Sequence, residues 1–473
     1  MSEQEILSEE PSRLTREYLE SRYTEIRDVY LSDTRPWVIG YSGGKDSTVA
    51  LQLIWYALSD LPREKLNKPV FIISSDTLVE TPKIVDYITR SLENMNLAAE
   101  RLGLPFSAHK VSPQIDDSFW VNLIGRGYPA PSNKFRWCTE RLKIDPANKF
   151  ILDKVAQHGE VVVVLGVRKS ESATRSQVMS LHRIPNSLLS RHSTLPNAFV
   201  YTPVADFGLG DVWTYLLQVT SPWGNNNREL VTLYRNAQAG ECPLVVDKTT
   251  PSCGNSRFGC WVCTVVNRDS SMESMIENGE TWMEPLLDFR NKLAETQDPI
   301  VKRQVRQLKR RNGRVTLGTN GKIIPGPYTP DFRKQLLREL LTVQKTVAAS
   351  GEISQLISKT ELEEIRRIWR SETQDWEDSV PRIFREIFGH DLDWTANETP
   401  VFGVEDRRIL DSICTRLNVS SDMVARLLDL ERDLTAMSRR SAVNQKISAV
   451  LEEDWRTTDE LNALDAEQVD DTD

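Results

Sequence analysis

The sequence lacks the long apolar run that a membrane helix requires. No stretch of its 473 residues approaches the roughly 18 consecutive apolar residues that span a bilayer. The first residues are acidic and lack the basic and apolar regions of a signal peptide. We therefore expect a cytoplasmic protein with no membrane association.

Histidine and cysteine are also scarce, with five and six residues. The histidines are scattered, so we assign them no role. In the cytoplasm, cysteines are more often metal-binding or reactive than disulfide-bonded. The net charge of −9 argues against a uniformly basic nucleic-acid binder, although it leaves room for a local basic surface.

A glycine-rich turn is the most informative motif that is present. The apolar run 37–41 leads into it, and a helical pattern follows from Thr48. Such a turn leaves backbone N–H groups free at a helix N-terminus, where the helix dipole favours pyrophosphate. The spacing differs from that of the kinase and GTPase phosphate loop. The turn consists of Ser42, Gly43, Gly44, Lys45, Asp46 and Ser47.

Strand-like and helical patterns alternate after this turn. Apolar runs at 69–75, 105–107 and 161–166 predict strands, and 81–102 predicts a helix. This alternation predicts an α/β fold with a doubly wound parallel sheet, whose ligands bind at the carboxyl ends of the strands.

The remaining sequence divides by composition. Its periodicity fades from about 222 to 268, where four cysteines gather, and it is mostly helical and charged beyond 270. Asn320-Gly321 predicts a hairpin turn, and Cys414 lies on a helical pattern typical of a packed core residue. The predicted segments are an N-terminal helix (1–35), the α/β domain (36–221), a cysteine-rich segment (222–270), a mostly helical region (271–464) and an acidic tail (465–473).

Polar residues follow two of the predicted strands. Asp76 comes after the second strand, where it would bind a ribose hydroxyl or help to position Mg²⁺, or else cap a helix. Arg168 and Arg175 bracket a helix start beyond the strand at 161–164 and would clamp a triphosphate. A surface ion pair with Glu171 is the alternative for these two arginines.

Cys138 lies among cationic residues, in the segment Lys134–Lys143. Nearby positive charge favours the thiolate, which a nucleophile or a sulfur carrier requires. A buried, inert cysteine is the competing interpretation.

The other four clustered cysteines have a spacing suited to a metal. A C-x10-C-x6-C-x2-C array can hold an iron–sulfur cluster or tetrahedral zinc, and nearby aromatic residues favour the cluster. An array without metal is the third possibility. The four residues are Cys242, Cys253, Cys260 and Cys263.

The stretch 301–314 contains seven cations and no acidic residue. Val301, Val305 and Leu308 recur at helical spacing, which predicts an amphipathic basic helix suited to a phosphate backbone. A solvated face balanced by acidic neighbours is the alternative. The candidate nucleic-acid-binding residues are Lys302, Arg303, Arg306, Lys309, Arg310 and Arg311.

Four motifs resemble the phosphoadenosine-phosphosulfate reductase group of ATP pyrophosphatases, which have an adenine nucleotide alpha hydrolase-like fold. They are the turn 42–47, Arg136-Trp137-Cys138, the stretch Gly166–Arg175 and Asp211-Val212-Trp213. The cysteine segments 239–244 and 252–263 resemble more closely the DndC family of bacterial DNA phosphorothioation.

This resemblance implies an ATP-dependent DNA sulfurtransferase with ATP, Mg²⁺ and a 4Fe–4S cluster as cofactors. The turn, Asp76 and Arg168 would bind ATP. Lys45, Arg168 and Arg175 would stabilise the developing charge, and Asp46 would orient the turn or Mg²⁺. Cys138 would carry or relay sulfur. The resemblance places the cluster on Cys242, Cys253, Cys260 and Cys263. The implied partners are DNA, a DndA- or IscS-like cysteine desulfurase, DndD and DndE.

Two departures disfavour sulfonucleotide reduction. Cluster-bearing reductases have adjacent cysteines where this chain has Cys138 before Thr139, and their C-terminal Glu-Cys-Gly-Leu-His segment is missing. In the reductase layout Cys138 would lie near the cluster, and a ligand set in which Cys138 replaces one of the four cysteines is the alternative. Sulfonucleotide reduction, tRNA thiolation and a non-catalytic DNA-docking scaffold are the alternative functions.

Overall fold

The structure is a computed structural model, and its described part consists of nine ranges. They are residues 12–171, 177, 181–236, 259–319, 321–352, 355–394, 402–434, 441–457 and 459–463. The chain divides into two compact units. The first unit comprises 1–117 and 131–290, and the second comprises 118–130 and 291–473.

The first unit is built on a six-stranded sheet with the order β3-β2-β1-β4-β6-β5. All neighbouring strands run parallel except the edge pair β5 and β6. The predicted doubly wound parallel sheet is therefore confirmed. The strands are β1 (Trp37–Gly40), β2 (Val70–Ser75), β3 (Phe106–Val111), β4 (Val161–Val164), β5 (Ser190–Arg191) and β6 (Ala198–Tyr201).

The order of the strands creates a switch point between β1 and β4. From β1 the chain moves outward through β2 and β3, and it then returns to pair β4 with the other side of β1. In open α/β sheets, ligands bind in the crevice that forms at the carboxyl ends of such a strand pair. Every residue of β1 and β4 is buried, as expected for strands covered on both faces.

The helices of the first unit include those that the sequence predicted. The N-terminal helix begins after Thr15, whose hydroxyl accepts a hydrogen bond from the Tyr18 amide. The predicted 81–102 helix starts with Pro82 and ends before Gly103, which has the left-handed conformation that ends helices. The α-helices are α1 (Arg16–Leu31), α2 (Lys45–Ser59), α3 (Pro82–Leu102), α4 (Trp137–Thr139), α5 (Asp145–His158), α6 (Leu209–Gln218), α7 (Asn227–Asn236) and α8 (Ser270–Glu277).

Helix α7 lies where the sequence predicted fading periodicity, so that prediction is wrong for this stretch. Leu230, Val231 and Tyr234 are buried at helical spacing on one face. The helix is short and its other positions are polar, which hid this face in the sequence.

Helices dominate the second unit, as predicted. The helix Lys359–Glu372 begins with a capping box: the Glu361 amide donates to the Ser358 hydroxyl, and the Ser358 amide donates to the Glu361 carboxylate. Cys414 is buried on its helix, as predicted. Helix α9 (Glu284–Glu295) spans the unit boundary, and α10 (Pro299–Val305), α11 (Pro330–Ala348), α12 (Lys359–Glu372), α13 (Ser379–Phe388), α14 (Val404–Leu417), α15 (Ser421–Leu434) and α16 (Ser441–Leu451) follow.

The predicted basic helix over 301–314 is wrong beyond Val305, where α10 ends. Main-chain pairing replaces helical bonding there: the Gln307 amide donates to the Pro327 carbonyl at 2.8 Å, and the Gly326 amide donates to the Gln307 carbonyl at 2.7 Å. A Cβ at Gly326 would overlap the Lys309 carbonyl oxygen, so glycine permits this approach.

The predicted hairpin follows. Leu317 and Ile323 form an antiparallel bridge, and the Gly318 amide donates to the Lys322 carbonyl at 2.8 Å. Asn320 itself and the acidic tail lie outside the described residues. Within the described part, no helix is both long and apolar enough to cross a membrane.

Candidate active site

The glycine-rich turn lies at the carboxyl end of β1. Gly43 has φ +72°, and Gly44 is the extended residue that precedes α2. The two serine hydroxyls brace the turn: Ser42 Oγ and Ser47 Oγ lie 3.0 Å apart, and Ser47 Oγ donates to the Gly44 carbonyl. The turn thus presents the N-terminus of a 15-residue helix at the switch point, where an anion is favoured.

Gly166 brings the chain after β4 against this helix start. A Cβ at Gly166 would lie 2.6 Å from Ser47 Cα and 2.7 Å from the Asp46 carbonyl oxygen. Only glycine allows the two backbones to approach this closely. The turn after β1 and the segment after β4 therefore form one crevice.

Three charged residues meet in this crevice. The Asp46 carboxylate lies 2.6 Å from Arg168 Nε and 3.1 Å from Lys45 Nζ. Lys45 and Arg168 are each 2% exposed. Two cations therefore share one carboxylate beside the helix N-terminus. This arrangement suits a polyphosphate.

Tyr234 is a site residue that the sequence did not predict. Its hydroxyl accepts a hydrogen bond from the Lys45 amide at 3.3 Å, and Lys45 Nζ lies 5.4 Å from the centre of its ring. Tyr234 lies on α7, far along the chain from the turn, and no local motif marks it.

Asp76 lies at the carboxyl end of β2. Its carboxylate accepts a hydrogen bond from the Leu78 amide at 2.9 Å and lies 3.4 Å from Lys110 Nζ. The residue that precedes α3 is Thr81, so the helix-cap alternative for Asp76 is wrong. Of the two predicted arginines, Arg168 is in the crevice and Arg175 lies outside the described residues.

The part of the cysteine segment that begins at residue 259 packs against the loop that follows β2. The Trp261 amide donates to the Val79 carbonyl at 3.0 Å, and the Thr81 amide donates to the Gly259 carbonyl at 3.2 Å. Cys260 Sγ lies 3.2 Å from the Thr77 hydroxyl. Since β2 neighbours β1, Cys260 lies one strand away from the glycine-rich turn.

Cys138 lies near Cys260 and Cys263, and its thiol form is favoured over the thiolate. Burial, followed by the nearby Cys260 and Cys263 thiols, raises the pKa of Cys138 to about 12, while Lys143 opposes this increase. Lys143 favours the thiolate, as predicted for a cationic neighbour, but desolvation outweighs it, so the prediction of a net lowered pKa is wrong. Burial likewise raises the pKa of Cys260 to about 11.

Two further charged residues surround these thiols. Burial raises the pKa of Glu80 to about 7, although Lys143 Nζ lies 4.0 Å from its carboxylate. Arg290 is fully buried, and it donates to the Cys263 carbonyl at 2.9 Å and to the Asn267 carbonyl at 3.0 Å. Arg290 therefore fixes the turn that carries Cys263, a role with no signal in the sequence.

The described residues include only part of the predicted cluster site. Cys138, Cys260 and Cys263 approach each other, but no three His, Cys, Asp or Glu side chains of the described residues form a group ready to hold a metal ion. Cys242 and Cys253 lie outside the described residues. The ligand set therefore stays a prediction.

Comparison with known proteins agrees with this fold. Residues 36–266 match the family model of the phosphoadenosine phosphosulfate reductase domain. The chain carries a phosphoadenosine phosphosulfate reductase-like domain. The domain contains the glycine-rich turn, Arg168 and every cysteine except Cys414.

One relative extends beyond this domain. The chain is 27% identical over 257 residues to an uncharacterized protein of Methanocaldococcus jannaschii. The match covers 54% of this chain and 42% of that relative, so it spans less than half of the relative's length.

Two solved structures show weaker similarity. The U34-tRNA thiolase NcsA of Methanococcus maripaludis, with its [4Fe-4S] cluster, has a TM-score of 0.27 at 14% identity, covering 61% of this chain and 81% of that one. The Candida glabrata FMN adenylyltransferase has a TM-score of 0.26 at 14% identity, covering 45% of this chain and 62% of that one. Such scores are too low to transfer a property to the reductase-like domain.

The close approach at Gly166 gives a first prediction. Gly166→Ala should destabilise the protein by about 1–3 kcal/mol, because the new Cβ meets backbone that cannot rotate away. Gly403→Ala is the control, since a Cβ there would meet only Asp406 Oδ2 at 3.9 Å. Urea denaturation measures both variants. Equal midpoints for the two variants would contradict the close packing described for the crevice.

Proposed function

We propose that this protein is an ATP pyrophosphatase-type sulfurtransferase that modifies the DNA backbone. The observation that carries the proposal is the crevice between β1 and β4, where Asp46 joins Lys45 and Arg168 beside a helix N-terminus. The three cysteine thiols near the carboxyl end of the neighbouring strand supply the second half of the argument.

The crevice is suited to an ATP triphosphate cleaved between its α and β phosphates. Backbone amides of the turn, with Ser42, Gly43, Gly44 and Ser47, would hold the β,γ-pyrophosphate. Lys45 and Arg168 would stabilise the charge that develops on the leaving pyrophosphate, and Arg175 is proposed to assist them. Fixed cations of this kind need no reorganisation during the reaction.

Asp46 is proposed to act as a positioning residue. Its carboxylate holds Arg168 Nε at 2.6 Å and Lys45 Nζ at 3.1 Å, so it sets the direction of both cations. Mg²⁺ would be held by the phosphates and by carboxylate oxygens, for which Asp46 and Asp76 are the candidates.

A DNA phosphate is the proposed sulfur acceptor, on the strength of the resemblance to the DndC family. A phosphodiester oxygen is a very poor leaving group, so it must first attack the α-phosphorus of ATP and release pyrophosphate. A persulfide sulfur then bonds to the activated DNA phosphorus, and AMP leaves with the oxygen. A second thiol finally breaks the S–S bond, which leaves a disulfide and the DNA phosphorothioate.

The cysteines near the β2 loop are the proposed sulfur-handling residues. Cys138 would carry or relay the sulfur that a cysteine desulfurase supplies, with DndD and DndE as further partners. Cys242, Cys253, Cys260 and Cys263 would hold a 4Fe–4S cluster, which supplies soft, sulfur-binding iron when present. The raised pKa of Cys138 means that its thiol must lose a proton before it reacts.

Asp46→Asn should lower pyrophosphate release from ATP by about 100-fold or more, because Lys45 and Arg168 lose the carboxylate that directs them. With ATP labelled at the γ phosphate and DNA present, the label should appear in pyrophosphate. Asp206→Asn is the matched control, since Asp206 forms an exposed ion pair with Lys169. A wild-type rate of pyrophosphate release by the Asp46→Asn variant would contradict this assignment. Release of the label as inorganic phosphate would contradict it as well.

Cys138→Ala separates activation from sulfur transfer. We expect pyrophosphate release to continue while phosphorothioate formation stops, with the iron content unchanged. Cys414→Ala is the control, because Cys414 is buried on a helix in the second unit. Iron and sulfide analysis accompanies both assays. Loss of iron in Cys138→Ala would instead make Cys138 a cluster ligand, and unimpaired phosphorothioate formation would exclude it as the relay.

A further inference from the structure

The second unit contains a cavity of about 750 Å³ with an excess of positive charge. Segment 303–311 and residues from the helical part of the unit form its walls. Eleven lysines and arginines line it, against seven aspartates and glutamates. A cavity with this balance attracts anions.

Most of the acidic residues in the cavity are already engaged. Arg407 lies 2.6 Å from Asp422, Lys334 lies 3.3 Å from Asp375, and Arg456 lies 2.5 Å from Asp454. Arg426 pairs with Glu453, and Arg311 lies 3.4 Å from Glu372. These pairs account for five of the seven acidic residues in the cavity wall.

Two of the remaining arginines are held by carbonyls. Arg306 donates to the Gly326 carbonyl at 2.6 Å and to the Pro325 carbonyl at 2.7 Å, and Arg310 donates to the Pro325 carbonyl at 3.0 Å. A carbonyl fixes the direction of a guanidinium group without neutralising it. Arg306 and Arg310 are therefore oriented while they keep their full charge.

Arg333 supplies the decisive observation. It lines the cavity, it is 3% exposed, and it donates to the Gly125 carbonyl at 2.8 Å. Its Nε is buried and has no hydrogen-bond partner among the described residues. Burial lowers the pKa of Arg333 to about 10, and the nearby Glu372 carboxylate only partly offsets this effect. Burying a guanidinium group whose N–H donor has no acceptor costs free energy, unless an anion accepts the remaining hydrogen bond.

The N-terminus of α11 adds to the positive electrostatic potential of the cavity. Thr329, Pro330 and Asp331 line the cavity, and α11 extends for 19 residues behind them. The positive end of the helix dipole therefore lies in the same cavity wall as Arg333.

We propose that this cavity binds the sugar–phosphate backbone of a nucleic acid. The cations are spread over a volume larger than one phosphate group, and Arg303, Arg310 and Arg311 are exposed. Binding through such groups is independent of sequence. The inference rests on the proposed function, in which DNA is the acceptor, and it identifies residues that would hold the substrate.

Fluorescence anisotropy of a short labelled DNA duplex with the full-length protein tests the proposal. Arg310→Gln and, separately, Arg333→Gln should each weaken binding about 10-fold, the size of one charge-assisted hydrogen bond. Each should also reduce the slope of log K against log salt by about 0.9, since one phosphate contact is lost. Arg408→Gln is the control, because Arg408 carries the same charge in an exposed pair with Glu405 outside the cavity.

Unchanged affinity and slope in Arg310→Gln would overturn the proposal. Arg310 is exposed, so its loss should not unfold the protein even if Arg333→Gln does. Displacement of the duplex by millimolar inorganic phosphate would also overturn it, because the cavity would then be a site for small anions. Pyrophosphate release distinguishes failure of this inference from failure of the proposed function. Wild-type protein that releases pyrophosphate but does not bind the duplex would refute DNA binding by the cavity. DNA binding that depends on Arg310, without pyrophosphate release, would refute the proposed function.

Discussion

The candidate site depends on the contacts that the Asp46 carboxylate makes with two cations. This carboxylate joins Lys45, from the turn after β1, to Arg168, from the segment after β4. Both cations are almost fully buried, and removing one partner of a buried ion pair leaves a costly uncompensated charge. The pairing also holds the two strand ends together where Gly166 lets their backbones touch. The same contacts thus stabilise the switch point and hold two cations beside a helix N-terminus.

The sheet order explains how two kinds of chemistry come together. The glycine-rich turn follows β1, and the loop after the neighbouring β2 contacts Cys260 through Thr77 and Gly259 through Thr81. The turn proposed to bind ATP and the cysteines proposed to handle sulfur therefore lie at the same edge of the sheet. Burial raises the pKa of the Cys138 and Cys260 thiols.

The sequence predicted what local patterns encode. The apolar runs located β1, β2 and β4, and the glycine-rich turn was recognisable because its residues are consecutive. Tyr234 and Arg290 were missed, because each acts through contacts with residues far along the chain. The basic helix was predicted wrongly beyond Val305, since pairing with residues 325–328 outweighed helical periodicity. The thiolate of Cys138 was predicted wrongly because desolvation cannot be read from neighbouring charges.

Mass spectrometry of nuclease-digested DNA tests the central claim most directly. The DNA would come from cells that carry the gene with its neighbours, encoding either the wild-type protein or Asp46→Ala. The account predicts phosphorothioate-linked dinucleotides with the wild type and none with the variant. Their persistence in the variant would contradict ATP activation in this crevice, and their absence from both samples, while pyrophosphate still forms, would contradict DNA as the acceptor.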